Sequence, residues 1–395
     1  MLGRILKQGF HILGSFGCAA VLLLLMFVVV FWGTWDQQYH SLYDVQKMYF
    51  DSFYVVRPMF EVGDFRFGLP LPGGMLLMGL LFVNLVVGGI IRMRRSWSIA
   101  GIYIAHAGIL FMLFAGLVKF GFADEGSMKL YESQQGNEFE SWHEWELAIQ
   151  EKVDGGVREH IVPQAGFAYL DRGERASFHH EGLPFDLTVS RYARNSQPAP
   201  VGPFGASGAG IDGFFLRRLR PAREAENNMP GLYASVREEA SGEVHKGLLW
   251  GAQQHPWVVE VGGKSFAIDL RRKRWVLPFT IQLEKFKREL HPRTSMAKAF
   301  SSDVKVIEND VEQPVKISMN QPLRLHGYVL FQHQWDQGGP GGALFSIFSV
   351  VRNPSDKWPE WACYIIAVGL LLHFSIKLNR YIRSQTVRLA RANAK

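Results

Sequence analysis

The segment GIYIAHAGILFMLFAGL (Gly101–Leu117) is almost wholly apolar, yet it contains a histidine, His106. With its flanks it is long enough to cross the hydrocarbon core of a bilayer, which takes about 20 helical residues. An imidazole in lipid is costly unless it is hydrogen-bonded, buried against protein or bound to a metal. The segment therefore predicts a transmembrane helix, and His106 becomes a candidate functional residue.

Three further runs have the length and apolar character of membrane spans. The four predicted spans are 11–33, 71–91, 98–119 and 360–377. The apolar part of the first run is too long for a cleaved signal peptide, and no small-residue cleavage site follows it, so we expect an anchor. The predicted arrangement is three spans, a long polar region, and one span.

The positive charge of the chain follows the predicted spans. Of the 43 Lys and Arg residues, 11 flank the spans on one side, where Asp and Glu do not occur. They lie in the predicted N-terminus 1–10, the loop 92–97, and the end of the last span with the tail 378–395. By the positive-inside rule these segments are cytoplasmic, and both termini lie inside. The net charge of +7 is therefore a topology signal and does not indicate a nucleic-acid partner.

The two predicted segments outside the membrane differ in character. The segment 34–70 is predicted to be an external amphipathic loop, in which Leu42, Val45, Tyr49 and Phe53 recur at helical spacing from Ser41 onward. The segment 120–358 predicts a large extracytoplasmic domain.

This external domain is predicted to be mostly β. Two alternating runs surround the glycine turn of ELAIQEKVDGGVREHIV (Glu146–Val162), and Gly262-Gly263 separates the runs of WVVEVGGKSFAIDL (Trp257–Leu270). Further strands are predicted at Phe185–Tyr192, Phe279–Phe286, Val304–Glu308, Val315–Met319 and Tyr328–Gln334. The pattern indicates a mostly antiparallel sandwich or barrel, either as one lobe or as two lobes divided near 198–213. The predicted fold class is an α + β membrane protein with this domain inserted between spans three and four.

Several chemical classes have no support in the sequence. Neither CxxC nor CxxCH occurs, so the chain is neither a thioredoxin-type thiol enzyme nor a c-type cytochrome itself. The ten histidines outside the spans show no helical metal-site spacing, and no catalytic constellation can be singled out.

Three polar residues inside the predicted spans need an explanation. Asn84 is expected to hydrogen-bond to a neighbouring helix. From the residue alone, His106 either hydrogen-bonds to a neighbouring helix or ligates a metal or haem. His373 in the fourth span either reaches toward the interface or ligates haem, because both imidazoles fall in the cytoplasmic half and two imidazoles can ligate haem iron.

The chain resembles the ResB (also called CcsB) family of the System II pathway of cytochrome c maturation. The resemblance is carried by GTWDQQYHSLYDVQKMYFDSF, LPGGMLLMGLLFVNL, GIYIAHAGILFMLFAGL, EGSMKLYESQQGNEFESWHEWELAI, ISMNQPLRLHGYVLFQHQWDQ and FSIFSVVRNPSDKWPEWACYIIAVGLLLHF. These runs occur at both ends of the chain and in all four spans, whereas residues 160–275 resemble the family only weakly.

The resemblance implies several functional features. It implies a multi-span CcsA/ResC-type partner, an apocytochrome c acceptor outside the membrane, thiol-reducing proteins of the same pathway, and non-covalent haem b within the membrane. It also implies that His106 is an axial haem ligand whose opposing ligand comes from the partner. A role of His373 as a ligand is a separate inference from its depth.

The leading prediction is a membrane subunit that takes part in haem transport and in covalent haem attachment to apocytochrome c. Synthase activity is not expected of this chain alone. One alternative is a b-type cytochrome subunit that relays electrons through His106 and His373, and another is a cofactor-free membrane-anchored scaffold.

Overall fold

A computed structural model describes residues 2–62, 65–202, 210–294, 297–336 and 344–393. The chain divides into two compact units. The helical unit contains residues 1–123 and 353–395, and the β unit contains residues 124–352.

The described residues of the helical unit form six α-helices. These are α1 (Leu2–Leu13), α2 (Phe16–Asp36), α3 (Leu42–Val45), α4 (Gly74–Asn84), α5 (Ala100–Phe122) and α6 (Trp358–Asn393). A π-helical turn, Leu85–Ile91, continues α4, and a 3₁₀ turn, Trp97–Ile99, precedes α5. Among the described residues, four helical segments are long and apolar enough to cross a membrane: Phe16–Asp36, Gly74–Ile91, Trp97–Phe122 and Trp358–Arg391.

The ends of these segments differ from the predicted ones in two places. The first begins at Phe16 and not at residue 11, because Ser15 caps α2 by accepting a hydrogen bond from the Cys18 amide at 3.1 Å. The residues before it form the separate helix α1. The predicted tail 378–395 continues α6 as far as Asn393, since no Gly or Pro interrupts its sequence.

The segment predicted as an amphipathic loop begins as expected. Ser41 accepts a hydrogen bond from the Asp44 amide at 3.0 Å and caps α3, which a π-helical turn, Gln46–Phe50, extends. Val45 and Tyr49 are fully buried. A hairpin that the sequence did not predict follows, β1 (Tyr54–Val62) with β2 (Phe65–Pro72). Its prolines are uncommon in strands, which is why the segment had the sequence character of a loop.

The β unit contains sixteen strands in the described ranges. They are β3 (Asp124–Tyr131), β4 (Gln135–Val153), β5 (Gly156–Pro163), β6 (Arg175–Phe178), β7 (Phe185–Ala193), β8 (Ser196–Pro200), β9 (Phe214–Arg218), β10 (Gly231–Glu238), β11 (Val244–Trp250), β12 (Trp257–Val261), β13 (Lys264–Leu290), β14 (Ala297–Glu308), β15 (Val311–Ser318), β16 (Leu323–Leu325), β17 (Tyr328–Asp336) and β18 (Phe345–Arg352).

The β unit is antiparallel, as predicted. A ten-stranded sheet has the order β15-β14-β13-β4-β3-β18-β17-β16, with β12 added to β13 and β5 added to β4. A four-stranded sheet has the order β11-β10-β7-β6, and β8 pairs with β9. Both predicted glycine hairpins form, and Gly262 and Gly263 have φ values of 59° and 75°, which suit a tight two-residue turn.

The described residues of the β unit form two hydrophobic cores, and one of them contains residues from both sides of 198–213. One core includes Trp145, Leu147 and Leu270, and the other includes Phe139 and Leu277. The change from one core to the other therefore occurs within the long strands β4 and β13. Of the predicted dividing segment, residues 203–209 lie outside the described residues.

A buried ion pair joins three strands of the large sheet. The Arg271 guanidinium donates to Glu146 Oε1 at 3.0 Å and to Glu159 Oε2 at 2.6 Å. Burial raises the pKa of the Glu146 carboxyl. The hydrogen bond from Arg271 lowers the pKa of Glu159, which is more exposed. Arg271 therefore connects β13 to both β4 and β5.

Candidate functional site

The two predicted haem-ligand histidines lie on a pair of closely packed helices. Gly101, Ala105 and Gly108 are buried on α5. A Cβ atom on Gly369 of α6 would lie 2.5 Å from the Ala105 amide nitrogen and 2.7 Å from the Gly101 carbonyl oxygen. Small residues on one face of each helix thus let the two backbones touch.

A second set of contacts holds α5 and α6 together near the start of α6. The Ser355 hydroxyl donates to the Ala115 carbonyl oxygen at 2.9 Å. Trp358, at the start of α6, stacks on Phe111 and Phe114 with ring centroids 5.4 and 5.9 Å apart. The third and fourth membrane candidates therefore form one packed pair.

His106 points away from this crossing, toward the second membrane candidate. It follows Ala105 by one residue, which is about 100° of helix rotation. Its Nδ1 atom lies 3.1 Å from the carbonyl oxygen of Gly89. Gly89 belongs to the π-helical turn, two residues before its end, where carbonyl groups lack partners within the helix.

This contact selects the tautomer of a neutral imidazole. A carbonyl oxygen can only accept a hydrogen bond, so Nδ1 must carry the proton, and the Nε2 atom of the neutral ring keeps a free lone pair. No other hydrogen bond reaches the ring within the described ranges of the chain. His106 is half-buried. It can therefore act as a nitrogen ligand through Nε2 while the backbone of another helix holds its ring.

Asn84, the polar residue predicted to join helices, ends α4 directly before the π-helical turn that contains Gly89. Asn84 is buried, and its Nδ2 atom donates to the carbonyl oxygens of Leu13 and Ser15 at 2.5 and 3.1 Å. The prediction for Asn84 is confirmed, although its partners are backbone groups at the break between α1 and α2. Arg92 adds a hydrogen bond to the His11 carbonyl oxygen at 2.8 Å.

His373 lies at the α5–α6 crossing itself. A Cβ atom on Gly101 would lie 2.5 Å from the His373 amide nitrogen. The His373 Nδ1 atom is buried and has no hydrogen-bond partner among the described residues. A buried polar atom left without a partner costs about 1–3 kcal/mol, so this nitrogen is available to a ligand that reaches it.

The structure brings the two helices together but not the two rings. His373 packs at the level of Gly101, five residues from His106, which corresponds to about 7.5 Å along the helix. In the described part of the chain, no hydrogen bond or ring contact joins the two imidazoles. The His106 ring contacts the carbonyl group of Gly89. The ring centroids of His373 and Phe374 lie 5.8 Å apart.

Sequence reasoning missed the carbonyl group that holds His106. The sequence signal for this contact was the pair Gly88-Gly89 within an apolar helix. Only glycine leaves room for the ring, because a Cβ atom on Gly89 would lie 2.7 Å from His106 Nδ1. A Cβ atom on Gly88 would lie 3.0 Å from the Gly14 carbonyl carbon. The two glycines let the second apolar helix approach both neighbours.

Comparison with known proteins matches most of the β unit and the third apolar helix to one family. The sequence model of the ResB-like family matches residues 93–344. No curated protein matches the chain. The matched range includes His106 and ends before His373.

Proposed function

The chain belongs to the ResB-like family, and on this basis we propose that it is a membrane subunit of a cytochrome c maturation system. In this proposal the four apolar helices cross the cytoplasmic membrane and both termini are cytoplasmic. The β unit lies outside. The distribution of Lys and Arg on the predicted inner segments supports this orientation.

We propose further that His106 is an axial ligand of haem within the membrane. The hydrogen bond from Nδ1 to the Gly89 carbonyl supports this role most directly, because it leaves Nε2 as the available donor. Haem is the cargo of the system, and its iron supplies the coordination site that an imidazole can occupy. In this proposal His106 holds and orients the haem, and the residues for covalent attachment are assigned to the partner protein.

The remaining parts of the proposal concern partners. A CcsA/ResC-type multi-span protein would supply the opposing ligand and the residues for covalent attachment. The acceptor would be an apocytochrome c outside the membrane, its thiols kept reduced by other proteins of the pathway. The proposal assigns haem transport to the pair of membrane proteins, and neither protein would carry it out alone.

One observation favours a second candidate function. The unpartnered Nδ1 atom of His373 could serve a haem held within this chain alone, as in a b-type electron relay. The difference of about 7.5 Å in level between the two histidines argues against a single haem bound by both of them.

The experiment is a comparison of haem content in the protein purified alone and with its partner. We expect partner-dependent, b-type haem that is lost in His106→Gly and restored to this variant by added imidazole. His11→Ala is the control, since only the backbone of His11 makes the contact with Arg92. Haem bound by the isolated chain and lost equally in His106→Ala and His373→Ala would favour the relay.

The cellular test measures the two classes of cytochrome separately. A strain without this protein should lose covalently attached c-type haem and keep b-type haem. Normal maturation of c-type cytochromes in that strain would contradict the proposal.

A further inference from the structure

We propose that the β unit carries a divalent-cation site formed by His179, Asp186 and Glu239. The ligand atoms of these three side chains all lie within 4.8 Å of one another. The site is separate from the histidines of the helical unit and does not depend on the proposed function.

Strand register brings the three residues to one face of the four-stranded sheet. β7 lies between β6 and β10. His179 directly follows β6, and the pairing of Phe178 with Leu187 places it opposite Asp186. Glu239 follows β10 and lies diagonally across from Asp186, because Arg237 pairs with Asp186. Diagonal neighbours of this kind lie on the same face within reach of one another.

The ligand atoms lie close enough together to converge on one ion. His179 Nδ1 is hydrogen-bonded to Asp186 Oδ1 at 2.9 Å and lies 3.3 Å from Glu239 Oε1. Zinc bonds to imidazole nitrogen and carboxylate oxygen are about 2.0–2.2 Å long. Ligand atoms around such an ion are separated by about 3 to 3.5 Å, so small side-chain movements would accommodate it.

The cluster joins two carboxylates to one imidazole. Both carboxylates converge on the same ring nitrogen, which can share at most one proton with them. In the part of the chain that the structure describes, neither Asp186 nor Glu239 forms an ion pair with Lys or Arg. A divalent ion would neutralise both carboxylates and take the lone pair of Nδ1.

The chemistry of the donors selects the class of ion. One imidazole with two carboxylates suits a first-row divalent metal such as Zn²⁺, whereas Mg²⁺ and Ca²⁺ prefer oxygen ligands alone. The side chains of the three residues are 63%, 42% and 50% exposed in the order His179, Asp186, Glu239, so an ion can enter from solvent. Three protein ligands leave at least one coordination position for water.

A bound ion would have a structural effect at this edge. β6 is an edge strand of four residues, paired only with β7 within the described ranges. Metal coordination by His179 would attach the end of β6 to both β7 and β10. We therefore expect Zn²⁺ to stabilise the β unit as well as to bind.

The test is calorimetric titration of ZnCl₂ into the metal-free full chain in detergent, purified without a polyhistidine tag. We expect one saturable site whose affinity falls at least about tenfold in His179→Ala and in Asp186→Asn. Zn²⁺ should raise the thermal midpoint of the parent protein and not that of His179→Ala.

His245→Ala is the matched control. His245 is a histidine on the same sheet with a single carboxylate neighbour, Glu243, at 3.8 Å. The His245→Ala substitution should leave the Zn²⁺ affinity of the saturable site unchanged. Equal Zn²⁺ affinity in His179→Ala and the parent protein would overturn the proposal, as would the absence of saturable binding up to about 1 mM.

Discussion

The carbonyl oxygen of Gly89 and the Nδ1 atom of His106 lie 3.1 Å apart, and this hydrogen bond joins the second and third apolar helices. Two local features make this contact. The π-helical turn ends close to Gly89 and leaves its carbonyl group without a partner in the helix. The absence of a side chain at Gly89 then gives the ring room to approach. A backbone group, which no side-chain mutation removes, thus sets the tautomer of the candidate ligand.

Gly89→Ala should reduce haem retention by the complex without unfolding it. The new methyl group would lie 2.7 Å from His106 Nδ1 and would displace the ring. A displacement of this kind should lower the haem content of the purified complex several-fold, measured by absorption. Gly79→Ala on the same span is the control, because a Cβ atom there meets nothing within 4 Å. Equal haem content in both variants would contradict the role assigned to Gly89.

Gly369→Val should destabilise the pair formed by α5 and α6. Its side chain would meet the backbone of Ala105 and Gly101, and overpacking of this kind costs about 1–3 kcal/mol. Unfolding by denaturant in detergent should show this decrease in the free energy of unfolding. Gly116→Val on α5 should change stability far less, since a Cβ atom at Gly116 has no neighbour within 4 Å. Similar losses in both variants would indicate a general effect of β-branched residues.

His373→Leu separates the two readings of this residue. If His373 binds no ligand, removal of its unpartnered buried nitrogen should leave stability unchanged or raise it by about 1 kcal/mol. Haem content should then equal that of the parent protein. If the isolated chain binds haem and His373→Leu removes it, the result would instead support the electron relay.

Arg271→Met should destabilise the β unit strongly. It would leave the carboxylate of Glu146 buried without its cation, and breaking a buried pair costs on the order of 3 kcal/mol. Lys273→Met is the matched control, because its pair with Glu144 is exposed and worth less than about 1 kcal/mol. Thermal unfolding of both variants measures the difference. A smaller loss in Arg271→Met than in the control would contradict the assignment.

Glu159→Gln should change the response to acid. The hydrogen bond from Arg271 lowers the pKa of Glu159 in the folded protein below its usual 4.5. The stability that this carboxylate contributes is therefore fully present above pH 4.5 and is lost as the pH falls through the lower folded-state pKa. The difference in thermal midpoint between the parent protein and Glu159→Gln should narrow below pH 4.5. A difference that widens on acidification would mean that the pKa is raised.

Much of the fold could be predicted because its signals are local. Apolar length predicted the four long helices, Ser41 predicted the start of α3, and Gly262-Gly263 predicted a hairpin whose φ values require glycine. Each of these features depends on residues within about one span or one turn of one another. The antiparallel arrangement followed from the absence of helices between the strands.

The missed features depend on contacts between distant residues. The two cores of the β unit divide along β4 and β13, because each strand is long enough to pack one end in each core. The described parts of 198–213 adjoin the β8–β9 ribbon. The contact between Gly89 and His106 depends on a π-helical turn, which apolar periodicity does not predict.

The candidate site was predicted in part. His106 and Asn84 stood out because polar side chains are rare in an apolar helix. The cluster of His179, Asp186 and Glu239 could not be found, because its members are separated by irregular intervals and meet only through strand register. The role of His106 as a haem ligand stays a prediction.

The packing of α5 against α6 has a consequence for biosynthesis. Ser355 donates to the carbonyl group of Ala115, 240 residues earlier in the chain. At a translation rate of about 5–20 residues per second, roughly 12 to 48 s separate the emergence of these two residues from the ribosome. During this interval the glycine and alanine face of α5 has no α6 to cover it. The third and fourth apolar helices can pair only after the ribosome has completed the whole β unit.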